Sequence, residues 1–264
     1  MGRRNTDKNI LGVRVCALPR DKTLKLIERR LLSGKRTAIF TPNLEMLSSA
    51  SRDQSLLSLL NLSDINIPDG IGIYLASCLC FSRLPERSTG IGTAEQILKI
   101  AEKQNLRVFL LGGKKGVAKK AALALKKRHP RLTVCGIHHG YFDKDKDCRD
   151  NDSVIRSIND AKADILFVCF GFPLQERWIA ENLPSLPSVR LSMGLGGSLD
   201  VWSGNIRRAP SWVQSIGLEW LWRAFRDPKR AKRLLSLPKG LVSVITTKEC
   251  RSYARSHKDV FGTW

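Results

Sequence analysis

Acidic side chains are scarce in this 264-residue sequence. Asp and Glu total 24 against 45 Lys and Arg, a formal net charge of +21. Such an excess calls for an anionic partner: nucleic acid, anionic lipid or a phosphorylated substrate. Long apolar runs are also missing. No segment reaches the ~18 uncharged apolar residues of a spanning helix, so any membrane contact is expected to be peripheral. The start, Met1 to Lys8, has no apolar stretch behind it of the kind that marks a signal peptide. Cysteine is too irregular for a disulfide framework. The seven are odd in number, and Cys78 and Cys80 stand one residue apart, which is not a zinc-knuckle spacing. A reducing cytosol is the expected compartment. Internal repeats and low-complexity stretches are absent too.

What is present reads as a folded α/β chain. Hydrophobic residues make up 42%, enough for a sizeable core. Apolar runs that read as strands fall at 37–40, 65–67, 107–111, 133–137, 164–170 and 189–193. Helical patterns lie between them: 22–32 capped by Asp21, one helix over 44–60, a capping box at Thr93-Ala94-Glu95-Gln96 opening a helix to Lys103, then 117–127 and 153–161. A further helix carries Gln175, Glu176 and Trp178. This alternation predicts a Rossmann-like parallel sheet covered by helices on both faces.

Ligands of parallel sheets bind beyond the carboxyl ends of the strands. Four polar or glycine clusters fall at such ends: Thr41-Pro42-Asn43, Asp69-Gly70, Gly112-Gly113, and Gly171 to Gln175. Glycines at 112 and 113 let backbone N–H groups approach a phosphate, or simply make a tight strand-to-helix turn. Asp69 is placed to take a proton from an attacking hydroxyl, or to cap the helix that follows. Thr41 and Asn43 can bond a nucleotide or cap the helix at Leu44, and Gln175 is a ligand contact or a solvated helix residue. The four histidines form no ligand pattern and receive no role. Asp143-Lys144-Asp145-Lys146-Asp147 contains an Asp-x-Asp pattern, but its lysines and loop setting read as solvated charge.

Composition shifts after about Gly204. The tail interleaves Arg223, Arg226, Lys229, Arg230, Lys232 and Arg233 with Trp212, Trp220, Trp222 and Phe225. Helices are expected over 211–226 and, after Asp227-Pro228, to Leu235. The chain therefore divides into a catalytic domain, 1–205, and a basic, Trp-rich helical appendage, 206–264, suited to an anionic membrane surface.

Taken in order, the motifs resemble the WecG/TagA/CpsF glycosyltransferase family. They are Thr41-Pro42-Asn43-Leu44-Glu45, Pro68-Asp69-Gly70-Ile71-Gly72, Pro85 to Gly90, Leu110 to Gly113, Gly140-Tyr141-Phe142, Ala163 to Val168, Gly171 to Glu176, Gly196 to Asp200, and Arg208 to Leu221. The match runs from about Ile10 to Arg233, with nothing usable beyond about Leu237. The resemblance implies an inverting, metal-independent enzyme without cofactors. Its donor would be a UDP-sugar, and its acceptor a polyprenyl-diphosphate-linked saccharide at the cytoplasmic face of the membrane. The product would be an exopolysaccharide or another cell-envelope polysaccharide. The proposed base of the family falls on Asp69. Its pocket falls on Thr41, Asn43, Arg87, Gln175 and Asp200, and its appendage arginines fall on Arg223, Arg230 and Arg233. The glycine-loop N–H groups at Gly112 and Gly113 join the arginines in offsetting charge on UDP. Two departures stand out: Gly92 occupies a position where relatives usually carry Asp, and Leu199 one where Phe is frequent.

The rival reading is a basic nucleic-acid-binding protein without transferase activity. It accounts for the charge but finds no helix-turn-helix, zinc or RNP signature. A catalytically dead membrane scaffold is a third reading. No nucleic-acid partner is expected, and self-association into a homo-oligomer is compatible with the sequence.

Overall fold

The computed structural model describes residues 6–79, 83–144, 148–210, 212–213, 217–219, 221–222 and 236–246. Six parallel strands form the central sheet, in the order β4-β3-β8-β7-β5-β6. They are β3 (Thr37–Phe40), β4 (Ile65–Asn66), β5 (Arg107–Gly112), β6 (Thr133–His138), β7 (Ile165–Cys169) and β8 (Leu191–Gly194). Side chains along a strand alternate between faces, and both faces here are apolar. Ile39, Leu110, Phe167 and Met193 enter one core. Their neighbours Phe40, Leu111, Val168 and Phe109 enter the other. Continuous apolar runs are what a sheet covered on both sides requires.

The first core is roofed by α1 (Arg20–Leu32), α5 (Gly90–Lys103), α6 (Val117–Arg128) and α9 (Ser198–Trp202). The second is covered by α2 (Leu44–Ala50), α3 (Gln54–Asn61), α4 (Gly70–Leu79), α7 (Arg149–Asp160) and α8 (Leu174–Asn182). Side-chain hydrogen bonds tie α7 to α8. Trp178 Nε1 donates to Asn151 Oδ1 at 2.7 Å, and Asn151 Nδ2 donates to Asn182 Oδ1 at 2.9 Å. Among the described residues no helix is long and apolar enough to cross a membrane.

Several boundaries differ from the sequence reading, each for a local reason. The expected helix over 44–60 is two helices. Asp53 Oδ1 accepts from Ser55 N and Leu56 N at 2.8 and 3.3 Å and restarts the helix, a local bond that competes with continuation. α5 opens at Gly90 rather than at the Thr93 box. Thr89 Oγ1 takes the Gly92 N–H at 3.2 Å, so the cap lies one turn earlier. Asp21 sits inside the first turn of α1, with Pro19 at the cap position.

The short α9 was not anticipated, nor were two further elements. An antiparallel hairpin, β1 (Asp7–Ile10) and β2 (Val13–Cys16), precedes the sheet. It is anchored by Arg14, whose backbone carbonyl accepts from Asn66 Nδ2 at 2.8 Å. Within the tail, α10 (Ser236–Ile245) packs on α2 and α4. Its Gly240 sits so close to Leu44 that a Cβ would lie 2.8 Å from Cγ. The helices expected within 211–235 fall for the most part outside the described residues, and Arg223, Arg230 and Arg233 lie wholly outside them.

Candidate active site

All strands of the main sheet run the same way, so the four clusters read from the sequence lie along one edge of it. A chain of contacts joins three of them. Asp69 follows β4, and its Oδ1 accepts from the Gly90 N–H at 2.8 Å. Gly90 is the first residue of α5, where the positive end of the helix dipole favours a carboxylate. Asp69 N donates back to Pro42 O at 2.9 Å, and Gly70 N donates to Ser88 O at 2.9 Å. The loops after β3, after β4 and before α5 are thereby fixed to one another around a half-buried carboxylate.

Gly90 also packs on Thr41, where a Cβ would lie 2.9 Å from the Thr41 methyl. The buried Thr41 hydroxyl donates to Gly194 O at 2.9 Å, linking the ends of β3 and β8. Next to Gly194 is Gln175, a buried side chain on α8. Its Oε1 accepts from Gly196 N at 2.8 Å and Gly171 N at 3.2 Å, and its Nε2 donates to Glu176 Oε1 at 2.8 Å. Asn43 adopts the capping alternative: its Oδ1 accepts from Met46 N at 3.0 Å at the start of α2. Gln175 is therefore neither solvated nor exposed, contrary to the bland reading of a surface helix residue.

The glycine loop lies on the other side of β7. Gly112 has φ +129, and a Cβ there would collide with the Cys169 carbonyl. Gly113 donates its N–H to Cys169 O at 3.3 Å and accepts from Gly140 N at 2.8 Å. Burial pushes the Cys169 thiol up to about 12, so it packs as a small apolar group rather than as a nucleophile. Asp200 sits in the first turn of α9, close enough to bear on that thiol. Leu199, the departure from Phe, is fully buried beneath the glycine loop. Gly92, the other departure, lies in the first turn of α5. A Cβ there would come within 2.7 Å of the capping Thr89 Oγ1.

Arg87 lies half-buried against Gly217. Gly217 has φ +84, and a Cβ on it would strike the Arg87 guanidinium and come within 3.2 Å of Ile71 Cβ. The tail is thus brought up to the turn that follows Asp69. Arg208 secures the same segment, pairing with Glu95 on α5 at 3.5 Å and with Glu219 at 3.4 Å.

Sequence reasoning missed two groups. Beside Gly140, Lys144 Nζ stands 4.6 and 4.9 Å from the Phe142 and Phe170 ring centres. His138 packs on Phe142, and Tyr141 is exposed. Burial lowers the affinity of Lys144 for its proton. The Gly140-Tyr141-Phe142 motif was the available signal. The second is Glu176, fully buried, whose carboxyl is held above the ordinary range by desolvation. Among the described residues no three His, Cys, Asp or Glu side chains gather into a metal-holding group.

Comparison with known proteins agrees with the motifs. The model of the glycosyl transferase WecG/TagA/CpsF family matches residues 8–254, so the match extends past the end near Arg233 expected from the motifs. A Bacillus subtilis (strain 168) protein named N-acetylglucosaminyldiphosphoundecaprenol N-acetyl-beta-D-mannosaminyltransferase is 35% identical over 236 residues, covering 88% of this chain and 90% of its own. A Staphylococcus aureus (strain MRSA252) protein of the same name is 36% identical over 210 residues, covering 80% of each chain.

Proposed function

Because the chain belongs to the WecG/TagA/CpsF glycosyltransferase family, we propose that it transfers N-acetylmannosamine from a UDP-sugar to N-acetylglucosamine carried on undecaprenyl diphosphate. The shared name of the two relatives supports this sugar and this acceptor. The observation that carries the reading is the linkage of Asp69, through Gly90 and Thr41, to the loops after β8 and β7. Carboxylate and glycine loop share one edge of a parallel sheet, where such folds hold their ligands.

In the proposed reaction an acceptor hydroxyl attacks the anomeric carbon of the donor sugar. The carbon–oxygen bond to UDP breaks on the opposite face, so the anomeric centre inverts. Asp69 takes the hydroxyl proton, a contribution of about a hundredfold to ten-thousandfold in rate. The N-terminus of α6 behind the glycine loop, with Arg87, Arg223, Arg230 and Arg233, offsets the charge left on the diphosphate, while the Gly113 N–H, engaged by Cys169 O, shapes the turn. Those guanidinium groups make the reaction metal-independent. Asn43 Nδ2, which makes no hydrogen bond among the described residues, and Asp200 orient the substrates. Thr41 and Gln175 contribute as a frame, since their polar atoms are engaged within the protein. Residues 1–205 form the catalytic domain. The basic appendage, 206–264, lies against an anionic membrane at its cytoplasmic face.

The test is a panel of UDP-sugars offered with an N-acetylglucosaminyl diphosphoprenol acceptor, read by mass spectrometry. NMR of the product reads the anomeric configuration. Transfer from UDP-N-acetylmannosamine with inversion, undiminished in EDTA, is expected. Tight, salt-sensitive DNA binding without any transfer would replace this reading with the nucleic-acid alternative.

A further inference from the structure

Glu176 lies on the first turn of α8 with no exposed surface. Its Oε1 accepts from Gln175 Nε2 at 2.8 Å, and its Oε2 has no hydrogen-bond partner among the described residues. A carboxyl buried with one idle oxygen is costly, and its position next to Gln175 supplies a physical reason for it.

The Gln175 amide is nearly symmetric in shape but not in chemistry. One side faces two donors, the N–H groups of Gly171 and Gly196 at 3.2 and 2.8 Å, and must present oxygen. The other side faces Glu176 Oε1 and must present NH₂. The reversed amide would set NH₂ against two N–H groups and oxygen against oxygen. The amide packs in the space that glycine at 194 leaves open, since a Cβ there would lie 2.9 Å from Nε2.

We propose that Glu176 is a positioning residue for the transfer reaction: by fixing the Gln175 amide, it holds the turns after β7 and β8 and the start of α9, which carries Asp200, in the geometry the site uses. The kinetic part of this rests on the function proposed above, and the structural part does not. Burial keeps the Glu176 carboxyl protonated over a wider pH range than an exposed glutamate. The neutral acid still offers Oε1 as an acceptor. The feature required is therefore an acceptor oxygen, not a charge, and glutamine can supply it.

The experiment uses the full chain with Glu176→Leu and Glu176→Gln. It reads kcat and KM for sugar transfer, thermal melting, and amide exchange at Gly171 and Gly196 by NMR. In Glu176→Leu, exchange at those two amides is expected to rise about tenfold, and kcat to fall about tenfold or more, the scale of one lost hydrogen bond. Exchange at Ile39 and Phe40 in β3 stays as in the parent. Glu176→Gln restores both quantities to within about threefold of the parent. If Glu176→Leu does not fold, Glu176→Ala, which admits water to the vacated space, is read in its place with the same expectation. Parental exchange at Gly171 and Gly196 in the apolar variant overturns the proposal. So does a Glu176→Gln protein as impaired as Glu176→Leu. Absence of transfer by the parent itself defeats the proposed function, while the exchange data still decide the structural claim.

Discussion

Asp69 Oδ1 accepts a 2.8 Å hydrogen bond from the first amide of α5, that of Gly90. The carboxylate is thus aimed by a helix N-terminus that does not belong to the helix following it in sequence. Asparagine at this position keeps the acceptor oxygen but cannot take a proton. Asp69→Asn is expected to lower turnover by about a hundredfold to ten-thousandfold while melting within a few degrees of the parent. Steady-state kinetics and a thermal melt check it. A variant retaining more than about a tenth of parental turnover would remove Asp69 from the base role.

Gly112 and Gly116 separate two costs that glycine loops combine. Both have positive φ, but only Gly112 faces an obstacle, the Cys169 carbonyl. Gly116→Ala meets nothing within 4 Å and should lose about 1 kcal/mol from backbone strain alone. Gly112→Ala must also part β5 from β7 and should lose about 2 kcal/mol or more. Urea denaturation of the two variants measures the difference. Equal losses would mean that the loop yields without disturbing the sheet.

Gly217→Ala tests how the tail meets the site. The new methyl carries the strain of φ +84 and displaces Arg87. We expect kcat/KM to fall about tenfold, equivalent to about 1.4 kcal/mol. In an Arg87→Ala background the guanidinium is gone, so the same substitution should add only its backbone strain and its close contact with Ile71. Strict additivity in this double-mutant cycle would show that residue 217 acts independently of Arg87.

Glu176 gives a pH dependence whose sign follows from its burial. Its folded pKa is raised above the ordinary 4.5, so between the two values the folded state holds the proton more often than the unfolded chain does. Stability then falls as pH rises through that window, at no more than about 1.4 kcal/mol per pH unit. Glu176→Gln has no such proton. Its advantage over the parent should be smallest below pH 4.5, widen as pH rises, and level off once the folded carboxyl has ionised. Urea melts from pH 4 to pH 8 read the gap directly. Parallel profiles for the two proteins would contradict it.

The sequence alone determined the layered α/β class, because the runs around Leu110 and Phe167 are apolar at every position, and only a sheet covered on both faces buries both alternations. It also located the clusters at the strand ends, since Thr41, Asp69, Gly112 and Gly171 each interrupt an apolar run. It could not tell which side-chain alternative each residue adopts. Asn43 caps its own helix, a bond between residues three apart. Asp69 instead reaches Gly90, 21 positions away, and Thr41 reaches Gly194, 153 positions away. Those partners come together only when parallel strands from distant parts of the chain stand side by side. The burial of Glu176 and the need for glycine at 217 belong to the same category. Local sequence decides helix caps and strand faces because the relevant atoms are covalent neighbours, whereas the site is built from contacts that chain packing alone creates.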